Sequence, residues 1–202
     1  MAINEKGGSA ISGTDVIISL LTGFISAIFA SSVFVYMMYS QRPKLELSRQ
    51  IAKTRFTGKT IYAFKVINAG KRDAVSVSAE LFLIQPHTVE GGIGYNVIEI
   101  PLVRQKLFHL RPLAKVGTKF GGVFEFITTA DLEAEWHAFK DSYLLFRVFA
   151  QDSLSLFSQV YNSEFDDPEK AIEIGRFAKG ASMRISSHGG GSQQAESFWP
   201  DL

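Results

Sequence analysis

The sequence predicts a mainly β protein, a β-sandwich domain preceded by one N-terminal transmembrane α-helix. Two patterns carry this prediction. No charged side chain occurs between Asp15 and Arg42, and after Pro43 apolar residues alternate with polar ones in several short runs. A chain of 202 residues is long enough for one anchored domain with its own core. The predicted order is a short extracytoplasmic N-terminus (1–15), the helix (16–40), the domain (41–185) and a flexible tail (186–202).

The apolar stretch 17–39 is long enough to cross a membrane as a helix. At 1.5 Å per residue it spans roughly 33 Å, against about 30 Å for the hydrocarbon core of a bilayer. A helix lets a lone segment satisfy its own backbone hydrogen bonds in lipid. Tyr36 and Tyr39 lie near its end, where aromatic rings favour the headgroup layer. Pro43 predicts that the helix has ended by that point.

Basic residues are concentrated after the apolar stretch. Before it the only basic side chain is Lys6, whereas the segment just after it contains Arg42, Lys44, Arg49, Lys53, Arg55 and Lys59. The positive-inside rule therefore places the C-terminal domain in the cytoplasm, anchored in the inner (plasma) membrane. A cleaved signal peptide is the alternative, with Ala30-Ser31-Ser32 as the cleavage site. Against it, the apolar run continues past that site and Asp15 directly precedes the run.

One face of the predicted helix carries small residues, which let a second helix approach closely. They are Ser19, Gly23, Ser26, Ala27 and Ala30. The pattern predicts self-association in the membrane. Small residues are also common in such helices by chance, and a pore lined by this face is a further alternative.

The rest of the chain shows the period of two that is typical of strands. Residues 60–68 place Tyr62, Phe64 and Val66 on one face. The clearest run, 74–84, places five apolar residues on one face: Val75, Val77, Ala79, Leu81 and Leu83. Shorter strands are predicted at 97–103, 107–110, 122–127, 143–150 and 154–161, with short helices at 131–136 and near 168–174. Many short strands with few helices indicate a β-sandwich.

The sequence contains no catalytic or cofactor motif. It has no Cys, which excludes disulfides and thiolate metal sites, and no GxSxG, HExxH, Walker or GxGxxG motif. A net charge of +1 gives no nucleic-acid signature. Two groups of acidic and His residues are interpreted as solvated surface: Glu133, Glu135, His137 and Asp141, and Glu164, Asp166, Asp167 and Glu169. We therefore expect neither an enzyme nor a cofactor.

From Arg42 to Phe177 the chain resembles the cytoplasmic C-terminal domain of inward-rectifier potassium channels, especially the bacterial branch. The matching elements, in chain order, are Arg42-Pro43, Leu47-Ser48, Gly58-Lys59, the strand 64–68, Arg72, the alternating strand 75–84, the turn 88–91, Tyr161, Glu173-Ile174, Gly175 and Phe177. The resemblance implies an immunoglobulin-like β-sandwich and favours a tetramer. It also implies that basic residues at the membrane junction bind anionic lipid headgroups. The corresponding positions are Arg42 and Lys44, followed by Arg49 and Lys53.

The chain departs from that family in its membrane part, with one helix, no pore helix and no TVGYG-like filter. The family's His-x-Ile-Asp segment is also not evident. The resemblance therefore implies a fold and a docking geometry rather than potassium conduction. Each juxtamembrane cation near an anionic leaflet contributes about 1 kcal/mol, which agrees with a lipid-binding role. The alternative is that these basic residues only set the orientation of the chain in the membrane.

Three hypotheses follow. The leading one is an anchored module that self-associates, or docks on another membrane protein, with its basic collar on anionic lipid. The second is a pore-forming or membrane-perturbing oligomer, and the third is an exported envelope or adhesion domain with a cleaved signal peptide.

Overall fold

The computed structural model describes residues 13–40, 42–115, 121–139 and 141–187. The chain divides into two compact units, Met1–Ser40 and Gln41–Leu202. Most of the predicted flexible tail and of the predicted short N-terminus lies outside the described residues.

The described residues of the first unit form one helix, α1 (Gly13–Ser40), which begins three residues before the predicted start. It is 28 residues long, apolar enough to cross a membrane, and buries none of its residues within the structure. The Thr22 hydroxyl donates to the Ile18 carbonyl at 2.8 Å, so this polar group finds its partner on the helix itself.

The second unit contains two five-stranded sheets. Sheet I consists of β1 (Leu45–Leu47), β2 (Ile51–Phe56), β3 (Lys59–Asn68), β7 (Val123–Thr128) and β10 (Ile172–Ile174). Sheet II consists of β4 (Ala74–Val89), β5 (Gly92–Ile100), β6 (Lys106–Leu110), β8 (Tyr143–Asp152) and β9 (Ser158–Phe165). A short 3-10 helix (Leu113–Lys115) and the helices α2 (Leu132–His137) and α3 (Pro168–Ala171) connect them.

Each sheet is built around one long strand. In sheet I, β1 and β2 pair one after the other along one edge of β3, β7 pairs with the other edge, and β10 adds to β2 in parallel. In sheet II, β5 and β6 share one edge of β4, and β8 followed by β9 occupies the other. All pairings except β10 with β2 are antiparallel.

The core lies between the two sheets and is rich in aromatic rings. Phe64 of sheet I stacks on Phe146 of sheet II with ring centroids 4.8 Å apart, and Phe126 and Phe165 contact the same pair. Tyr62, Phe64 and Val66 point into this core as predicted. The fold class, a mainly β sandwich preceded by an apolar helix, is confirmed.

A β-bulge in β4 changes which side chains face the core at the start of the strand, so the prediction was wrong for Val75. The pairing with β8 shifts register between Val75 and Ser78, and Ser76 adopts a φ of 50°. Ala74 therefore takes the inward position at the start of the strand, and Val75 is only partly buried. From Val77 onward the predicted alternation is correct. The extra residue of a bulge shifts the alternation by one, so side chains before the bulge point to the opposite face from the one that a strict period of two predicts.

Three further boundaries differ from the predictions. The strand expected at 97–103 is β5, which pairs with the extended end of β4 and begins five residues earlier. The strand expected at 154–161 begins only at Ser158, because residues 153–157 form the turn between β8 and β9. The helix near 168–174 stops at Ala171, and the next three residues pair with β2.

A two-stranded hairpin, β11 (Arg176–Phe177) and β12 (Ile185–Ser186), follows the sandwich. Phe177 and Ile185 pack on residues of sheet I that point away from the main core, forming a second apolar cluster. Its sheet I members are Ala52, Ala63 and Ile127.

Candidate functional site

The end of the sandwich at which the domain begins carries several basic residues. Arg42 is partly buried and its guanidinium lies 5.8 Å from the centre of the Phe157 ring. Lys44 is exposed, and its backbone carbonyl accepts a hydrogen bond from the amide of Ala69 at 2.9 Å. The first residues of the domain therefore lie against two loops, the β3–β4 loop and the β8–β9 loop.

Asn68 fixes the β3–β4 loop. Its buried side-chain amide donates to the carbonyls of Arg72 and Leu110, both at 2.8 Å, and its side-chain oxygen accepts from the amide of Gly70 at 3.0 Å. A Cβ at Gly70 would lie 2.9 Å from that oxygen and 3.1 Å from the Lys44 nitrogen, so the tight turn requires glycine here. This closure holds Lys71 and Arg72 beside Lys44.

Asp152 fixes the β8–β9 loop. Its carboxylate is fully buried and one oxygen accepts hydrogen bonds from the amides of Leu154 and Ser155 and from the Ser155 hydroxyl, at 2.8–3.0 Å. Burial by itself would raise the pKa of Asp152, but these hydrogen bonds and the Arg72 guanidinium 3.6 Å away lower it. Asp152 is therefore held as a carboxylate, and the loop backbone is held with it.

The tip of this loop is apolar and faces solvent. Leu154 is 70% exposed and Leu156 65% exposed, while Phe157 is partly covered by Arg42. The backbone is closed beneath them, since the Asp152 amide donates to the Phe157 carbonyl and the Leu156 amide to the Asp152 carbonyl. The ordered loop therefore presents two leucine side chains to the outside.

Strand β9 binds the first residues of the domain through two side-chain hydroxyls. The Tyr161 hydroxyl donates to the Pro43 carbonyl, and the Ser163 hydroxyl donates to the Ser48 carbonyl at 3.0 Å. Burial raises the pKa of Tyr161, so this hydroxyl keeps its proton and remains a donor.

The structure brings some predicted lipid-binding residues together and separates others. Arg42 and Lys44 lie at the end described above. Arg49 is exposed in the β1–β2 connection. Lys53 pairs with Tyr62 of β3, whereas Lys44 is hydrogen-bonded to Ala69, seven residues further along the chain. Lys53 therefore lies about 23 Å from Lys44, measured along β3. The sequence placed all four in one collar because β1 and β2 were not recognised as successive partners of β3.

Lys53 instead belongs to an acidic cluster next to α2. Its ammonium pairs with Glu133, which also accepts a hydrogen bond from the Tyr62 hydroxyl at 3.2 Å. Burial and the nearby charges of Glu133 and Asp131 raise the pKa of Tyr62 above its usual range. An open depression of about 450 Å³ borders these residues. A phenol kept protonated beside a salt-bridged carboxylate is a structural pair and supplies no activated nucleophile.

One member of each acidic group noted in the sequence makes a local contact. Glu133 pairs with Lys53, and Asp167 caps α3 and pairs with Lys170 at 2.8 Å. Asp131, which precedes the first group, caps α2. Over the described ranges of the chain, no three His, Asp or Glu side chains come close enough to hold a metal ion.

Sequence reasoning missed a buried lysine and a partly buried glutamate that face each other on the outer face of sheet I. Lys65 is 1% exposed, and its ammonium donates to the carbonyls of Ala178 and Ser182 at 2.6 and 2.7 Å. Glu125 is its partner across the strands, and burial raises the pKa of Glu125 to about 7 against the opposing charges of Lys65 and Arg176. The signal available was a lysine inside the apolar run 60–68, but nothing in that run shows that the β11–β12 hairpin covers it.

The predicted helix-association residues all lie in α1. Ser19, Gly23, Ser26, Ala27 and Ala30 are exposed along the helix. A Cβ at Gly23 would meet nothing within 4 Å.

Comparisons with known proteins give no family. No family model matches the chain, and no curated protein matches it. Among solved structures the chain is similar to Spo0M, a sporulation control protein from Bacillus subtilis, with 12% identity and a TM-score of 0.36. The match covers 65% of this chain and 49% of that structure, so the chain spans about half of its length. That TM-score is too low to establish a shared fold.

Proposed function

We propose that this protein is a single-pass membrane-anchored β-sandwich module whose domain lies at the cytoplasmic surface of the inner membrane and binds anionic lipid. The observation that carries the proposal is the clustering of Arg42, Lys44, Lys71 and Arg72 at one end of the domain. Only Gln41 separates Arg42 from Ser40, the last residue of the apolar helix.

The charge of this end suits anionic headgroups. The four basic residues outnumber the two carboxylates of the same loops, Asp73 and Asp152, and Asp152 is buried. Each Lys or Arg held near an anionic surface contributes about 1 kcal/mol. The proposed cluster adds Lys71 and Arg72 to Arg42 and Lys44 of the predicted collar and leaves out Lys53, which pairs with Glu133.

The lipid preference is tested with full-length protein in bilayers that contain labelled phosphatidylserine and phosphatidylcholine. We expect enrichment of phosphatidylserine around the protein, measured by energy transfer to the lipid. Lys44→Glu with Lys71→Glu removes two exposed cations and should abolish most of that enrichment. The matched control is Lys59→Glu with Arg55→Glu, which reverses two exposed cations at the other end of β2 and β3. Equal losses in both double variants would contradict the proposal.

The orientation is tested separately. The chain has no cysteine, so single cysteines at positions 9 and 59 can be labelled in intact cells with a membrane-impermeant maleimide. We expect labelling at position 9 only. Labelling at position 59 only, with a mature chain beginning near Val33, would favour the exported domain with a cleaved signal peptide.

Self-association through α1 is the second part of the proposal. It is supported by the small residues exposed along one face of the helix and by the open space at Gly23. The subunit number in native membranes, measured by mass or crosslinking, tests it, and Gly23→Leu should lower that number. A tetramer would agree with the resemblance to inward-rectifier domains. Ion leakage from liposomes that Gly23→Leu abolishes would favour a pore-forming oligomer.

A further inference from the structure

The β8–β9 loop combines two features that each cost free energy in a solvent-exposed loop: exposed apolar side chains and an ordered backbone. Its tip exposes Leu154 and Leu156, and its backbone is nonetheless fixed by hydrogen bonds to Asp152. An exposed apolar tip on an ordered loop is a common form of interaction surface. Because the loop is already ordered, binding through it would cost little conformational entropy.

The register of sheet II places this loop at the basic end of the domain. Asp152 pairs with Ala74, the first residue of β4, directly after Arg72 and Asp73. The Ser153 amide donates to the Asp73 carbonyl at 3.2 Å, which connects the two loops. Arg42, on the other side, lies over the ring of Phe157. The leucines therefore lie on a loop that contacts Arg42 through Phe157 and Arg72 through Asp152, at the end of the domain that the proposed function assigns to lipid.

An apolar tip at a basic end of a domain matches the chemistry of a bilayer surface. Apolar side chains favour the boundary between headgroups and acyl chains, and flanking lysines and arginines favour the phosphates. A protein partner would bind the same leucines, but the positive charge of Arg42, Lys44 and Lys71 at this end of the domain is complementary to an anionic surface.

We propose that the β8–β9 loop is a membrane-inserting element, in which Leu154 and Leu156 enter the interfacial layer of an anionic bilayer while Lys44 and Lys71 bind lipid phosphates. This inference rests on the proposed function, because it takes α1 to be inserted in the same bilayer. The loop then gives the domain a second attachment to lipid, additional to the helix.

The experiment uses full-length protein with a single introduced cysteine carrying an environment-sensitive fluorophore. Three variants are compared in vesicles containing about 30% phosphatidylserine: Leu154→Cys at the loop, Met37→Cys in α1 and Ile93→Cys at the opposite end of sheet II. Ile93 is a matched control, since it is 66% exposed against 70% for Leu154. It pairs with Thr88, so it lies about 45 Å along β4 from the Ala74–Asp152 pair.

We expect the label at position 154 to shift its emission to the blue and to be quenched by lipids that carry a quencher near the headgroup. Its quenching should exceed that at position 93 several-fold, and should fall towards the position 93 value when phosphatidylserine is replaced by phosphatidylcholine. The label at position 37 should be quenched in both lipids.

Each other outcome overturns the inference in a distinguishable way. If the label at 37 is quenched and the label at 154 behaves like that at 93, the helix is inserted and the loop is not. A blue-shifted label at 154 that lipids do not quench shows that protein, a second copy for example, covers the loop. If the label at 37 is also unquenched, the chain is not inserted and the proposed function fails with the inference.

Discussion

Asp152 is a buried carboxyl group and Glu125 a partly buried one, and each faces a cation, yet their pKa values shift in opposite directions. Asp152 lies at the basic end of sheet II, and its pKa is lowered; Glu125 lies on the outer face of sheet I, and its pKa is raised to about 7. Burial opposes ionisation in both. The difference lies in the groups that oppose burial. Asp152 accepts hydrogen bonds from two backbone amides and a hydroxyl, whereas at Glu125 only the charges of Lys65 and Arg176 oppose the rise in pKa. Hydrogen bonds to the charged form, more than proximity to a cation, keep a buried carboxyl ionised here.

The largest effect is expected at Asp152. Asp152→Ala removes three hydrogen bonds and leaves the partly buried Arg72 without its carboxylate, so the free energy of unfolding should fall by about 3 kcal/mol. Urea unfolding of the full chain in mild detergent, followed by tryptophan fluorescence, measures this. Asp131→Ala, which removes the exposed cap of α2, should cost only about 1 kcal/mol. Equal losses would mean that the Asp152 loop is no more than an ordinary cap.

Lys65 should be next. Lys65→Met keeps the apolar stem but removes the two hydrogen bonds to the carbonyls of Ala178 and Ser182, and should cost about 2 kcal/mol. Because those carbonyls belong to the β11–β12 hairpin, amide hydrogen exchange there should rise before the rest of sheet I is affected. Lys59→Met, at an exposed position, is the control and should change stability by less than about 0.5 kcal/mol. Unchanged exchange in the hairpin would show that apolar packing alone holds it.

Glu125 should make the free energy of unfolding depend on pH. Its folded pKa of about 7 lies above the value of about 4.3 in an unfolded chain. Between these values the folded state holds a proton that the unfolded state has lost, so this group lowers stability as the pH rises. Glu125→Gln should remove up to about 2.5 kcal/mol of the decline in the free energy of unfolding between pH 5 and pH 8. Glu90→Gln, in the exposed β4–β5 turn, should retain the wild-type decline, and a similar decline in both variants would refute the assignment.

Asp152 has the opposite dependence, since its folded pKa is lowered. Its contribution is complete above the unfolded value of about 3.9 and is lost as the pH falls through the folded pKa.

Arg72 should have the smallest effect. It lies 3.6 Å from Asp152 and is about one-third exposed, so Arg72→Met should cost only about 0.5 kcal/mol. Unfolding in urea measures the change. A loss as large as that of Asp152→Ala would mean that the cation, rather than the loop amides, keeps Asp152 ionised.

The sequence predicted strands well where an apolar run belongs to a strand that is paired along both edges. Residues 60–68 and 143–150 are such runs, and they became the central strands β3 and β8. It failed where a local hydrogen bond competes with the ladder. Leu154-Ser155-Leu156 alternates like a strand, but the Asp152 side chain binds the next amides and closes a turn instead.

The candidate site was predicted only in part, because it depends on contacts distant in sequence. Arg42 and Lys44 are recognisable from their position after an apolar helix. Lys71 joins them only because Asn68 closes the β3–β4 loop, and Leu154 joins them only because β8 pairs with the start of β4. Neither contact follows from a local pattern of charge or hydropathy.

The hydrogen bonds at the entry to the domain have a mechanical consequence. Tension transmitted along the chain from α1 first reaches Pro43 and Lys44. The Pro43 carbonyl is bound by Tyr161 of sheet II, and the Lys44 carbonyl by Ala69 at the end of the central strand of sheet I. A pull on α1 is therefore shared between both sheets of the sandwich at the first residues of the domain, instead of separating the short strand β1 alone.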